Sequence, residues 1–177
     1  MTIEEKIKQL LRDIPDFPRP GIIFRDITPL LANPPVRGEV VQAIVEHFAP
    51  LKPDVIAAVE ARGFIFGMLI AHALGIPFVP VRKAGKLPSK TVRKEYVLEY
   101  GNAEIEMHED AFVSGARVII HDDLLATGGT ATAAGHMVQQ LGGRVIAYSF
   151  LINLSFLPGE ARLRHEFGVE PHYLVRY

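Results

Sequence analysis

VIIHDDLLATGGT, residues 118–130, sets a run of β-branched residues, a pair of carboxylates and a loop of small residues in immediate succession. Val118, Ile119 and Ile120 are apolar on both faces of a pleat, the pattern of a strand buried in a parallel sheet. Asp122 and Asp123 follow at its carboxyl end, which in an open α/β sheet faces the ligand crevice. Two adjacent carboxylates there can accept hydrogen bonds from vicinal hydroxyls, such as a ribose 2′-OH and 3′-OH. In Ala126, Thr127, Gly128, Gly129 and Thr130, the glycines let the backbone approach an anion closely and the threonines add hydroxyl donors. The apolar-periodic segment 131–141 supplies a helix whose N-terminus favours negative charge. Each residue alone is an ordinary turn or cap residue. Their order points to a sugar phosphate. The stretch is not a Walker A loop, since no Lys follows the glycines, and GxGxxG is absent.

The flanking chain keeps a strand–helix rhythm. Thr2-Ile3-Glu4-Glu5 has the form of a capping box, and Ile3, Ile7, Leu10, Leu11 and Ile14 recur at helical spacing, which predicts an amphipathic helix ending before Pro15. Residues 15–35 are proline-rich with two apolar patches, Ile22-Ile23-Phe24 and Leu30-Leu31, and read as an irregular segment with brief strand character that could cover a site. Helices are predicted over 36–48, 63–74 and 157–167, and strands over 54–59, 76–81, 117–121, 144–152 and 171–175. Residues 82–94 hold Arg82, Lys83, Lys86, Lys90, Arg93 and Lys94 with no acidic residue, and read as a mobile loop. Glu95–Tyr100 and Glu104–Met107 alternate as an antiparallel hairpin turning at Gly101-Asn102. The whole predicts one α/β domain over 1–177. It is an open, mainly parallel twisted sheet with helices on both faces, a small N-terminal hood (1–35), and a flexible loop and hairpin (82–107).

Composition agrees with one domain: 177 residues, 49% of them hydrophobic, suffice for a single well-packed core. A net charge of −1 offers no global basic field for nucleic acid or an anionic membrane, so an anionic ligand needs local cations. Cysteine is absent, which excludes disulfides and thiolate metal sites and is compatible with a reducing compartment. No apolar run approaches the roughly 18 residues of a membrane span, and the charged N-terminal segment is unlike a signal peptide. The expectation is a cytoplasmic protein.

Three further elements carry candidate chemistry. Ala61-Arg62-Gly63-Phe64-Ile65-Phe66-Gly67 follows a strand and opens a helix, which puts Arg62 at a second anion-binding junction, although a lone surface Arg more often forms a weak ion pair. Arg82 and Lys83 end the next strand on the same crevice edge. In Gly21–Pro29, GIIFRDITP, Phe24 is suited to stacking on a base or to core packing, and backbone groups of Ile23 and Arg25 could read a base edge.

DDLLATGGT resembles the phosphoribosyl pyrophosphate signature of the type I phosphoribosyltransferases. With ARGFIFG, GIIFRDITP and Leu98-Glu99-Tyr100-Gly101 it is similar to the adenine phosphoribosyltransferase family. That resemblance implies transfer of 5-phosphoribosyl from phosphoribosyl pyrophosphate to adenine, giving AMP and pyrophosphate in purine salvage. It implies that Asp122, Asp123 and Ala126 to Thr130 hold the phosphoribosyl group, that Arg62, Arg82 and Lys83 hold pyrophosphate, and that Ile23, Phe24, Arg25 and Leu124 bind adenine. Glu99 and Arg62 would be catalytic, with Mg2+ held mainly by substrate and water and no direct protein ligand. A homodimer is implied as well.

Two departures inform the reading. Related enzymes for 6-oxopurines generally have Asp where this chain has Ala126, so proton handling at the base falls to Glu99 or to water, and adenine is favoured. His121 stands where the family usually has an aliphatic residue; a buried, hydrogen-bonded histidine is preferred over a direct role. Glu99 could also be an exposed strand residue. The rivals are a phosphoribosyltransferase for xanthine or another purine, a transcriptional regulator that senses phosphoribosyl pyrophosphate, and a nucleotide-binding protein without turnover. The regulator is disfavoured because no basic recognition helix is visible.

Overall fold

The structure, a computed structural model, describes residues 1–97 and 101–177, and divides into two compact units, Met1–Ile44 and Val45–Tyr177. In the first, α1 (Ile3–Leu10) begins as its capping box requires: Thr2 Oγ1 accepts the Glu5 N–H at 3.2 Å and the Glu5 carboxylate accepts the Thr2 N–H at 2.8 Å. It ends sooner than the periodicity implies. Residues Arg12–Pro15 form β1, antiparallel to β2 (Ile23–Asp26), and Ile14 lies opposite Phe24 instead of extending the helical stripe. Cross-strand ion pairs, Arg25 with Asp13 and Arg12 with Asp26, reward the extended form, and the Phe17 ring meets Phe24 edge to face at 5.3 Å. The segment 15–35 is therefore more regular than its prolines suggest, with Leu30 and Leu31 in a one-turn helix, α2 (Thr28–Leu31). Helix α3 (Pro34–Phe48) starts on its two prolines, where missing N–H groups cost nothing, and Asn33 Oδ1 accepts the Val36 N–H at 3.1 Å.

The second unit is built on β3 (Val55–Val59), α4 (Gly63–Leu74), β4 (Phe78–Lys83), β5 (Thr91–Val97), β6 (Asn102–His108), β7 (Arg117–Leu125), α5 (Gly129–Gln140), β8 (Arg144–Asn153), α6 (Gly159–Phe167) and β9 (Pro171–Arg176). Its seven-stranded sheet has the order β5-β6-β4-β3-β7-β8-β9. Strands β4, β3, β7, β8 and β9 are parallel, and β6 runs antiparallel to both β4 and β5. The expected mainly parallel sheet is present, with β5 and β6 as an antiparallel extension at one side. From β3 the chain crosses to β4 in one direction, and from β7 it crosses to β8 in the other. Right-handed crossovers in opposite directions put α4 and α5 on opposite faces. The alternation along β3 agrees: Ala57 and Val59 join the core with Ala134 and Val138 of α5, while Ala58 lies under α4. Among the described residues no helix is long and apolar enough to cross a membrane.

Two further expectations change. The motif strand does not stop at His121; β7 continues through both aspartates to Leu125, paired with β8 throughout. Residues 82–94 are not one loop, because Arg82 and Lys83 close β4 and Arg93 and Lys94 lie in β5, which leaves a turn at 84–90. Pairing with β6 explains this: a strand edge on each side satisfies backbone groups that a loop would leave to water. The hairpin is present, with Asn102 already in β6 opposite Val97, whereas Leu98, Glu99 and Tyr100 lie outside the described residues.

Helix α4 approaches β3 so closely that a Cβ on Gly67 would stand 2.5 Å from the Ala58 Cβ. Gly67→Ala is expected to lower the unfolding free energy by about 1–3 kcal/mol, the cost of overpacking. Urea unfolding with an unchanged m-value would register it.

Candidate active site

The strand order reverses between β3 and β7, and at such a switch point the carboxyl ends of neighbouring strands open a crevice. Both predicted anion-binding junctions meet there. Arg62 occupies the N-cap position of α4, just beyond β3, and its Nε stands 2.9 Å from Asp123 Oδ2 on β7. The Asp123 side chain is 5% exposed against 37% for Arg62, so the carboxylate is inside and the arginine only partly so, with its Nη1 itself buried. Asp122 Oδ1 accepts the Asp123 N–H at 2.8 Å. A Cβ at residue 63 would lie 2.9 Å from that same oxygen, which is why α4 begins on glycine. Burial pushes the Asp122 carboxyl well above its usual range, and the neighbouring Asp123 charge adds to this. Burial raises Asp123 as well, opposed by Arg62.

His121 precedes the pair and is fully buried, with Nδ1 3.0 Å from Ser149 Oγ on the adjoining β8. Burial pushes its pKa down to about 3, so the ring stays neutral at ordinary pH. The structure thus bears out the buried, hydrogen-bonded reading of this residue.

Residues Ala126 to Thr130 lie together at the start of α5. Gly128 caps the helix with φ +78°, a left-handed conformation suited to glycine. The helix starts at Gly129, two residues before its apolar pattern does. The loop is braced on its far side by α6. The Gly159 N–H donates to the Ala126 carbonyl at 3.1 Å, so closely that a Cβ on Gly159 would stand 2.3 Å from that oxygen. Arg162 Nη1 approaches the Thr127 carbonyl at 3.5 Å. The β5 ribbon also reaches this loop, since a Cβ on Gly129 would meet Tyr96 at 3.2 Å. The groove remaining among Asp122, Leu124, residues 126–130 and Phe150 has a volume of ≈ 80 Å³. A larger cavity of ≈ 500 Å³ adjoins Arg117 and Arg144 at the amino ends of β7 and β8, the opposite end from this chemistry.

Arg82 and Lys83 are not brought together. Successive strand residues point to opposite faces, and Arg82 Nε pairs with Glu60 Oε2 at 2.6 Å while its Nη1 donates to the Lys86 carbonyl at 3.3 Å. Lys83 is exposed. The sequence reading missed Glu106, a completely buried carboxylate on β6. Its Oε1 accepts the N–H groups of Lys86 and Leu87, both at 2.8 Å, and its Oε2 lies 3.3 Å from Thr91 Oγ1 and 3.2 Å from Arg93 Nε. The hairpin register, which sets Arg93 opposite Glu106, was the one available signal. Among the described residues no group of three or more His, Asp or Glu could hold a metal ion.

In the first unit, Pro15 lies opposite Ile23 and has no N–H to donate. Antiparallel pairs alternate between bonded and non-bonded, so Ile14 and Phe24 form a bonded pair. The N–H and C=O groups of Ile23 and Arg25 therefore point away from β1.

Residues 29–160 match the family model of the phosphoribosyl transferase domain. An adenine phosphoribosyltransferase of Cytophaga hutchinsonii is 55% identical over 161 residues, covering 91% of this chain and 89% of that one. The crystal structure of adenine phosphoribosyltransferase from Thermoanaerobacter pseudethanolicus superposes with a TM-score of 0.94 at 46% identity, covering 99% of this chain and 100% of its own. The Saccharomyces cerevisiae enzyme, solved with an imino-altritol bisphosphate and adenine, gives a TM-score of 0.91 at 39% identity, covering 97% and 98%.

A carboxyl whose folded pKa is raised contributes most to stability below its unfolded value and loses that contribution as pH rises through the folded one. Asp122→Asn removes a charge that the free fold holds at a cost. At pH 7 the variant should melt about 2–4 °C higher, the shift that roughly 1 kcal/mol produces in a chain this long. The gain should vanish below about pH 3.9. Thermal melts across pH 3–8 would measure both.

Proposed function

The chain belongs to the adenine phosphoribosyltransferase family, and from that premise we propose how its own residues divide the work of the reaction. The reaction transfers 5-phosphoribosyl from phosphoribosyl pyrophosphate to adenine, giving AMP and pyrophosphate. The observation that carries the assignment is the contact of Arg62 with Asp123 across the switch point, which joins a cation suited to pyrophosphate to a carboxylate suited to ribose.

Breaking the C1′–O bond builds positive charge on the ribose ring and negative charge on the departing pyrophosphate. Arg62 and Arg82 stabilise the leaving group electrostatically, with Lys83 contributing by reaching round from the other face of β4 on its long, exposed side chain, while Asp122 and Asp123 accept hydrogen bonds from the ribose 2′- and 3′-hydroxyls. The backbone N–H groups of residues 126–130, at the N-terminus of α5, receive the 5′-phosphate. Family membership supports Phe24 and Leu124 as the apolar contacts of the base, and the Ile23 and Arg25 main-chain groups as readers of the amino and ring-nitrogen edge of adenine. N9 attacks C1′ as pyrophosphate leaves, and its proton passes to Glu99 or to water. Ala126 supplies no carboxylate at the base, in keeping with a 6-amino purine.

Mg2+ enters with phosphoribosyl pyrophosphate as part of the substrate, where it neutralises phosphate charge. The donor set fits that role. Asp122 and Asp123 are hard oxygen ligands able to hold the water of a hydrated ion. A cytoplasmic setting accords with the absence of cysteine. The homodimer reading is supported by α4, an apolar helix that leaves Ile65 39% and Met68 50% exposed, as a face met by a second copy would be.

Purified protein given phosphoribosyl pyrophosphate, Mg2+ and equimolar adenine, hypoxanthine, guanine and xanthine is expected to form AMP almost alone. Equal yields of the 6-oxopurine nucleotides would overturn the base assignment. Glu99→Gln should lower kcat by about 10²–10⁴, the worth of a general base, with KM for phosphoribosyl pyrophosphate little changed. An unchanged kcat would hand the proton to water.

A further inference from the structure

Glu106 has no place in the reaction as described, yet it is a completely buried carboxylate with both oxygens engaged. It lies in register with Arg82 on one neighbouring strand and Arg93 on the other, and is completely buried between them. Its Oε1 takes two consecutive N–H groups, from Lys86 and Leu87, at 2.8 Å each. Thr91 Oγ1 and Arg93 Nε meet Oε2. The Lys86 carbonyl is held in turn by Arg82 Nη1 at 3.3 Å, and Arg82 Nε by Glu60 at 2.6 Å. The turn 84–90 is thus tied from beneath at its N–H side and from β4 at its C=O side.

We propose that Glu106 is a positioning residue for the pyrophosphate end of the site: its buried carboxylate fixes the Lys86-Leu87 turn and keeps Arg82 and its neighbouring cations in place before the substrate arrives. This rests on the assignment of Arg82 and Lys83 to pyrophosphate.

The physical need is clear from the charges. Arg82, Lys83, Lys86 and Arg93 repel one another, and without an anchor the turn would spread and would have to be ordered at binding. Ordering costs about 1–2 kcal/mol per residue in backbone entropy, which preorganisation removes from the binding step. Removing the carboxylate would also strand two amide donors. Burial pushes the Glu106 carboxyl up, but the N–H groups of Leu87, Gly85 and Lys86 and the Thr91 hydroxyl more than offset this and hold it below its usual range. It is therefore an anion whose Oε1 is taken by the turn and whose Oε2 is taken by Thr91 and Arg93 of β5.

Steady-state kinetics in both directions separate positioning from bulk charge and from simple stability. Pyrophosphate and phosphoribosyl pyrophosphate use this end of the site, whereas adenine and AMP do not. Glu106→Gln and Glu106→Asp should each raise KM for phosphoribosyl pyrophosphate, and in the reverse reaction KM for pyrophosphate, about tenfold. KM for adenine and AMP should stay within about twofold. Thr91→Val, which removes one donor and no charge, should raise the same two constants by a smaller factor and keeps the test available if neither Glu106 variant folds. A fall in KM for pyrophosphate in Glu106→Gln would mean that the lost negative charge outweighs geometry, and would overturn the proposal. So would unchanged constants, or an equal rise in all four together with a lower Tm. If the parent protein formed no AMP, the reaction assignment would fail instead, independently of Glu106.

Discussion

Asp122 and Asp123 sit where a folded protein tolerates charge least. They are consecutive on one strand and mostly out of water; burial raises both carboxyls, and the Asp123 charge makes Asp122 harder still to ionise. Much of the surrounding structure answers that constraint. Arg62 comes in from β3 to offset one charge, and the Asp123 N–H is turned back to the Asp122 carboxylate. α4 gives up a side chain at Gly63 so that its first turn can pass. Strand β7 is kept regular through both residues by β8 instead of fraying into a loop. Hydroxyl donors of the right spacing would relieve the unfavourable electrostatics of such a pair, which suits the role in ribose binding proposed for it.

The same economy governs the loop beside it. Residues 126–130 are crowded on the outside by α6 and approached by Tyr96, so the small side chains there serve packing as much as ligand approach. Gly159, distant in sequence, is as constrained as the motif glycines because its N–H and Cα lie against the Ala126 carbonyl. A loop held from behind keeps its N–H groups aimed, which is what electrostatic preorganisation of the phosphate site proposed there would require.

How much of this could be read in the sequence depends on the range of the forces involved. Helix α4 is found at the predicted residues because its signals are local: an apolar run closed by Gly75 in the left-handed region. The parallel strands are legible because valine and isoleucine runs have few other uses. Ile14 was misassigned to a helix because its spacing fits one, and only the distant pairing with Phe24 decides for a strand. Residues 82–94 look like a loop by composition, yet β6 recruits both ends. In the site, Arg62, Asp122, Asp123 and the glycine loop were legible as a motif. Glu106 was not, because its partners are main-chain amides of a turn, and the Arg82–Glu60 pair joins residues on different strands.

Strand β2 is only four residues long, ends in Arg25 and Asp26, and is preceded by a proline-rich turn whose backbone is already committed, with the Phe17 N–H bonded to the Ile22 carbonyl and the Gly21 N–H to the Asp16 carboxylate. A short strand closed by charged residues gives an extended chain little to grow on, which is one way proteins guard against aggregation. The brevity of β2 is therefore a solubility device, and lengthening it by even a few β-forming residues would weaken that protection.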